Sequence, residues 1–150
     1  MDDEEIKLKL IDIPGNENFR SNIKDYLGRV DAIFVVYDIT NLNSFNYIKN
    51  FDEIIKENRY SQVKKILIGN KCDSLNRIIS KERGENYADE NNYIFFETSA
   101  LHKTNINEAI AYICKIAMKE LDGQNIRSFK LRNIREYDNR HYYNYKCLLI

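Results

Sequence analysis

The sequence predicts a three-layer α/β/α protein built on a mostly parallel sheet. Two observations carry that reading. Short apolar runs alternate along the chain with segments at helical spacing, and one run, Ala32 to Tyr37, is apolar without interruption. Alternating strands and helices need right-handed crossovers, which place helices on both faces of a parallel sheet. A strand covered on both faces reads as a continuous β-branched run. The length of 150 residues and mass of 17.9 kDa suit one domain. At 43% hydrophobic and 31% charged residues, the composition is that of a globular chain and not a disordered one.

The elements follow in order. Ile6, Leu8 and Leu10 alternate with Lys7 and Lys9, a period of two that predicts a strand ending at Asp12. Ala32 to Tyr37 predicts the second strand, and Ile66 to Ile68 and Ile94 to Phe96 predict two shorter ones. Ile48, Phe51 and Ile55 lie on one helical face, with Asn43 or Ser44 as the expected cap. Ser80 to Asn91 has a weaker helical pattern. Ile106, Ile110, Ile113, Cys114, Ala117 and Leu121 form a strong one, preceded by Asn105 and Glu108 at capping-box spacing. Beyond Gly123 the periodicity dissolves. The chain therefore divides into a domain over residues 1–122 and a flexible basic tail over 123–150, with transient helix expected around Arg127 to Glu136.

Composition excludes several classes. Lys plus Arg and Asp plus Glu both number 23, so no overall charge argues for nucleic acid. The longest apolar run is too short to span a bilayer. Met1 leads into four acidic residues, which is not the start of a secretory signal. Cysteines at 72, 114 and 147 match neither a metal spacing nor a disulfide framework, and His102 and His141 have no ligand partners at metal spacing. No paired carboxylates or Ser/His/Asp set stands out. The expected setting is cytoplasmic.

The chemistry-bearing residues fall at strand ends, where parallel α/β sheets bind ligands. Asp12–Ile13–Pro14–Gly15–Asn16 follows the first strand, Gly69–Asn70–Lys71–Cys72–Asp73 the third, and Thr98–Ser99–Ala100–Leu101 the fourth. A single carboxylate such as Asp73 can accept two N–H donors from one edge of guanine as charge-assisted bonds. Adenine lacks that donor pair and would leave the carboxylate unpaired. The ordered set D-x-x-G, N-K-x-D and T-S-A resembles the Ras-like small GTPases over residues 5 to 121. Phe19–Arg20–Ser21, Val36–Tyr37–Asp38–Ile39–Thr40 and Ser44–Phe45 look most like the Rab branch.

The resemblance implies a P-loop-NTPase-like fold and a GTP-binding switch of vesicle traffic and signalling, with GTP or GDP and Mg²⁺ as cofactors. It assigns guanine recognition to Asn70, Lys71, Asp73, Ser99, Ala100 and Leu101, where Leu101 replaces the usual lysine. Asp12 would hold Mg²⁺ through water, and the Gly15 N–H would meet the terminal phosphate. Asn16 takes the place of the catalytic glutamine. It is one methylene shorter, so its amide does not reach the same point.

The same resemblance exposes what the sequence lacks. The five glycines, at 15, 28, 69, 84 and 123, include no G-x-x-x-x-G-K-S/T phosphate loop, and no switch I threonine segment is found. The chain is expected to be N-terminally truncated, missing the first strands. In the family's sheet the first strand sits between the third and fourth. Its loss should leave Ala32–Tyr37 with an unpaired edge, unless the strand over 5–11 moves beside it.

Cys147–Leu148–Leu149–Ile150 has the C-a-a-X shape and predicts a geranylgeranyl thioether. One lipid chain needs a second signal, and Arg127, Lys130, Arg132, Arg135, Arg140 and Lys146 would supply it on an anionic leaflet. Expected partners are guanine nucleotide, the cytosolic face of a membrane, effectors, exchange factors and prenyl-chaperones, and not nucleic acid. Two functions stay open: part of a GTP-hydrolysing switch, or a non-hydrolysing lipid-anchored decoy.

Overall fold

A computed structural model describes residues 6–13, 20–57, 63–122 and 143–149. Nine elements succeed one another: β1 (Ile6–Asp12), α1 (Arg20–Leu27), β2 (Ala32–Asp38), α2 (Leu42–Glu57), β3 (Lys64–Asn70), α3 (Lys81–Glu90), β4 (Ile94–Thr98), α4 (Ile106–Asp122) and β5 (Tyr143–Leu149). The five strands form one sheet in the order β1-β5-β2-β3-β4, and every pairing is parallel.

β2 explains the layering. Its side chains alternate between faces, as strand geometry demands. Ile33, Val35 and Tyr37 join Ile23 and Leu27 of α1, Phe45, Ile48 and Phe51 of α2 and Ala88 of α3 in one buried cluster. Ala32 and Phe34 join Ile66, Ile68 and Ala109, Ile113 and Cys114 of α4 in another. Burying a large apolar side chain contributes about 1.5–3 kcal/mol, so both faces draw stability from this strand. Among the described residues, α4 alone supplies helix to the second face. None of the described helices is long and apolar enough to cross a membrane.

The sheet departs from the sequence expectation at its centre. No direct β1–β2 pairing is found, and among the described residues the β2 edge expected to be open is covered only at its start, Ala32–Phe34. β5 lies between them, pairing Ile6–Asp12 on one side and Ala32–Phe34 on the other. The last part of the expected tail is thus a strand, and residues 123–142 lie outside the described residues.

Three helix starts also differ in detail. α1 has no counterpart in the sequence reading. α2 is capped by Asn41, whose Oδ1 accepts the Asn43 and Ser44 N–H groups at 2.9 and 3.3 Å. Before α4, Asn105 has a φ of 55°, and its side-chain amide donates to the Glu97 carbonyl at 2.8 Å. An N-cap needs extended backbone, so the expected capping box gives way to a tie onto β4. α3 is better built than its pattern suggests, since the Ser80 side chain accepts the Arg83 N–H at 3.2 Å.

A buried acid joins α2 to α3 and the start of β4. Asp52, 3% exposed, accepts the Tyr87 hydroxyl and, at 2.6 Å, the Tyr93 hydroxyl. Tyr93 also carries Lys65 Nζ over its ring at 4.3 Å.

Tyr37 sits against two glycines. A Cβ on Gly84 would lie 2.5 Å from the Tyr37 hydroxyl and 2.7 Å from the Phe95 ring. In an open helix, Gly→Ala stabilises by about 1 kcal/mol. Here Gly84→Ala should destabilise by about 1–3 kcal/mol in urea unfolding, because overpacking dominates. The Tyr37 hydroxyl is buried without a hydrogen-bond partner, and burial pushes its pKa up to about 12. Tyr37→Phe should therefore be neutral or raise stability by up to about 1 kcal/mol.

Candidate functional site

Because the sheet is parallel throughout, the carboxyl ends of its strands face one way, and ligands bind beyond such ends. Asp12 closes β1, Asp38 closes β2, Asn70 closes β3 and Thr98 closes β4. The sequence motifs meet there.

Asn70 ties the strands together. Its Oδ1 accepts the Thr98 hydroxyl at 3.2 Å and the Ala100 N–H at 3.1 Å. Its main-chain carbonyl accepts the Ile39 N–H at 3.1 Å, and the Cys72 N–H donates to the Thr98 carbonyl at 3.0 Å. Thr98 and Ser99 are buried, so these bonds lie in poorly solvated ground where leaving a group unpaired costs about 1–3 kcal/mol. A short amide at position 70 can face both loops at once, which a longer side chain could not do without slack.

Lys71 turns the chain after β3. Its φ of 66° is left-handed, and the turn is closed by the Ser74 N–H donating to its carbonyl at 2.9 Å. That backbone carries the side chain back over β2, where Nζ lies 2.6 Å from Asp38 Oδ2. Asp38 Oδ1 accepts the Thr40 N–H at 2.8 Å and its hydroxyl at 2.7 Å. Burial works to raise the Asp38 carboxyl, but the bonds from Lys71 and Thr40 outweigh it and bring the group below its ordinary value.

Asp73 is exposed at the rim. A hydrogen bond with the Ser99 side chain holds its carboxyl below the usual range, and His102 and Lys71 add smaller favourable fields. Ser99 Oγ also accepts the His102 N–H at 3.0 Å, which fixes the hydroxyl. The result is an ionised carboxylate, open to solvent, beside two loops locked to each other. Such a group suits a flat edge bearing two N–H donors.

The remaining expected residues divide. Ala100 and Leu101 follow Ser99 in the same loop, with Leu101 77% exposed. The Ala100 N–H, which the resemblance directs to a guanine carbonyl, here donates to Asn70. Asp12 is exposed at the same sheet end. Gly15 and Asn16 lie outside the described residues. Cys147 lies within β5, opposite Leu10 and Ala32. In the sequence, Asp38 and Thr40 stand out only as part of the Rab-like pattern. The signal that would have placed them is position, because Asp38 ends its strand beside Asn70, opposite it in the β2–β3 register. A hollow between α2 and α3 is lined by Phe45, Lys49, Arg83 and Tyr87, of which only Phe45 belongs to the Rab-like pattern.

A family model described as Ras family matches residues 1–119. The chain belongs to the Ras family. Its relatives place it in the Rab branch of the Ras-like small GTPases. It is 40% identical over 123 residues to Ras-related protein Rab-8B of Homo sapiens, a match covering 81% of this chain and 59% of that protein. Against Ras-related protein Rab-13 of Bos taurus it is 36% identical, covering 82% and 61%. Against GTP-binding protein YPT1 of Saccharomyces cerevisiae it is 34% identical, covering 84% and 62%. The matching part thus spans about three-fifths of these relatives.

The family's ligand can be set against this small GTPase chain in two halves. The base end fits, since Asn70, Asp73, Ser99 and Ala100 are brought together with the donors and acceptors that a guanine edge complements. The phosphate and Mg²⁺ end is thin. Among the described residues, Asp12 is the carboxylate the family pattern places there, and no group of three His, Cys, Asp or Glu could hold a metal.

The Lys71 turn gives a test. An L-residue in the left-handed region is strained by about 1–2 kcal/mol, and glycine is not. Lys71→Gly and Lys71→Ala both lose the ion pair to Asp38, so their difference reads the backbone alone. Lys71→Gly should be the more stable by about 1 kcal/mol in denaturant melts, less the extra freedom glycine has when unfolded.

Proposed function

We propose that this Rab-type chain recognises guanine nucleotides through the N-K-C-D and T-S-A loops and belongs to a GTP-dependent switch of vesicle traffic. The observation that supports this best is the bond from Ala100 N–H to Asn70 Oδ1 at 3.1 Å, which joins the two base-reading loops. Asp73 accepts the two N–H donors of the guanine edge, Ala100 turns its N–H to the base carbonyl, and the Lys71 stem lies along the base. Leu101 offers an apolar surface where relatives of this kind carry a cation.

Mg²⁺ and the phosphates would supply most of the family's affinity and its hydrolytic chemistry when bound. In this chain Asp12 and Gly15 would face them, and Asn16 would stand where a water is oriented. With no G-x-x-x-x-G-K-S/T segment in the 150 residues, intrinsic turnover of GTP by this chain should be undetectable. Switch-reading effectors, exchange factors and prenyl-chaperones are the partner classes. The anchor is a geranylgeranyl thioether on Cys147, aided by the six tail cations, which would hold the chain on the cytosolic face of a membrane.

Calorimetry with GDP and ADP tests the base reading. GDP should bind weakly yet at least about tenfold more tightly than ADP, since losing a bidentate charged pair costs more than about 1.4 kcal/mol. Asp73→Ala should equalise the two ligands. Because the Asp73 pKa is lowered, the preference should hold across neutral pH and fade only as acid protonates the carboxylate, below about pH 4. Equal binding of GDP and ADP by the parent chain would refute the reading.

A further inference from the structure

The central slot of the sheet is filled from the far end of the chain. β5 pairs along its whole length with β1, from Ile6 opposite Tyr143 to Asp12 opposite Leu149. Its last three residues also pair with β2, Ala32 opposite Cys147 through Phe34 opposite Leu149. β1 has no other neighbour in the sheet order, so β5 is what joins it to the other strands. Without β5, the buried start of β2 would present N–H and C=O groups with no partner on that side. Leu8 and Ile11 of β1 pack on the two apolar clusters, so β1 would also lose its seat there.

The connection is long enough. Twenty residues, 123–142, separate α4 from β5, and at 3.3–3.6 Å per residue they reach roughly 66–72 Å. A parallel return past α4, about 25 Å long at 17 residues, lies well within that span. The crossover that parallel pairing requires is therefore supplied by α4 and the connecting segment.

The segment that makes this strand also carries the C-a-a-X sequence. Cys147, Leu148 and Leu149 are the three residues of β5 flanked by a strand on both sides. Prenylation has the Cys147 thiolate attack C1 of an allylic diphosphate, forming a C–S bond as the C–O bond breaks. Diphosphate leaves, and the thiol proton passes to water. An enzyme doing this must hold the last four residues extended in its own site. The same backbone cannot be held in both places.

We propose that Tyr143–Leu149 is a built-in strand that completes the sheet, and that its docked state excludes lipid modification of Cys147. The chain then has two alternative forms, sheet-complete and unlipidated, or tail-released and open to the membrane. The strand stands on the pairing alone, whereas the exclusion rests on the lipid-anchor reading above.

Two measurements on the full chain separate these claims. Amide hydrogen exchange should show the N–H groups of 144–149 that face β1 or β2, with those of Leu8–Ile11 and Ala32–Phe34 that face β5, slowed at least about a hundredfold relative to free peptide. Free-peptide rates at 144–149 would overturn the strand. Next, geranylgeranyltransferase and geranylgeranyl diphosphate are presented with the native chain, with Tyr145→Pro, and with a peptide of residues 141–150. Proline removes an N–H from a strand paired along its length, yet leaves the last four residues intact. The peptide and Tyr145→Pro should be modified at least tenfold faster than the native chain. If Tyr145→Pro does not fold, the comparison of peptide with native chain decides the matter. Equal rates would overturn the exclusion. Modification of none of the three would overturn the lipid-anchor reading, and the exclusion with it, while exchange still judges the strand.

Discussion

The rest of the molecule depends on β2 being paired along one edge by β3 and, over its first three residues, along the other by β5. It runs through the middle of the protein with Ala32 and Ile33 fully buried and Phe34, Val35 and Tyr37 nearly so. Leaving an amide or carbonyl unpaired in such buried ground costs about 1–3 kcal/mol each. β3 satisfies one edge over all seven residues. β5 satisfies the other at Ala32–Phe34 and brings β1 with it. Once β2 is fixed, Asp38 at its end is fixed too, and so are Lys71 and the turn after β3.

This couples fold to chemistry through short links. The loops after β3 and β4 are tied together by Asn70, one half-buried amide reaching both. Ser99 serves two tasks from one hydroxyl, steadying His102 and holding Asp73 ionised. The rim carboxylate can stay in water and still be aimed, because everything beneath it is tied to strand ends. The strand-end loops of this Rab-type chain are thus ordered from within, by bonds among their own residues.

Much of this was legible because backbone geometry demands particular residue types. Uninterrupted, β-branched Ala32–Tyr37 reads as a strand covered on both faces, and Asn70 and Asp73 stand beyond the carboxyl end of a parallel strand, where such sheets bind ligands. What escaped had no local signal. α1 has two aliphatic residues, Ile23 and Leu27, one turn apart, so its eight residues show scant periodicity. Asn41 caps α2 ahead of Asn43 and Ser44, and composition cannot choose among three such neighbours. The buried Asp52 looks like any helical acid until Tyr87 and Tyr93 are seen around it. β5 was hidden most thoroughly. Tyr143–Leu149 mixes polar and apolar residues, sits beside a run of cations, and finds its partners more than a hundred residues away in sequence.

That long-range pairing is the point on which the account stands or falls. A nuclear Overhauser spectrum of the uniformly labelled full chain addresses it directly. The account predicts backbone contacts from the strand around Cys147 to Leu10 and its neighbours on one side and to Ala32 and Ile33 on the other. Sharp random-coil resonances for residues 143–149, with no cross-strand contact to either β1 or β2, would contradict it.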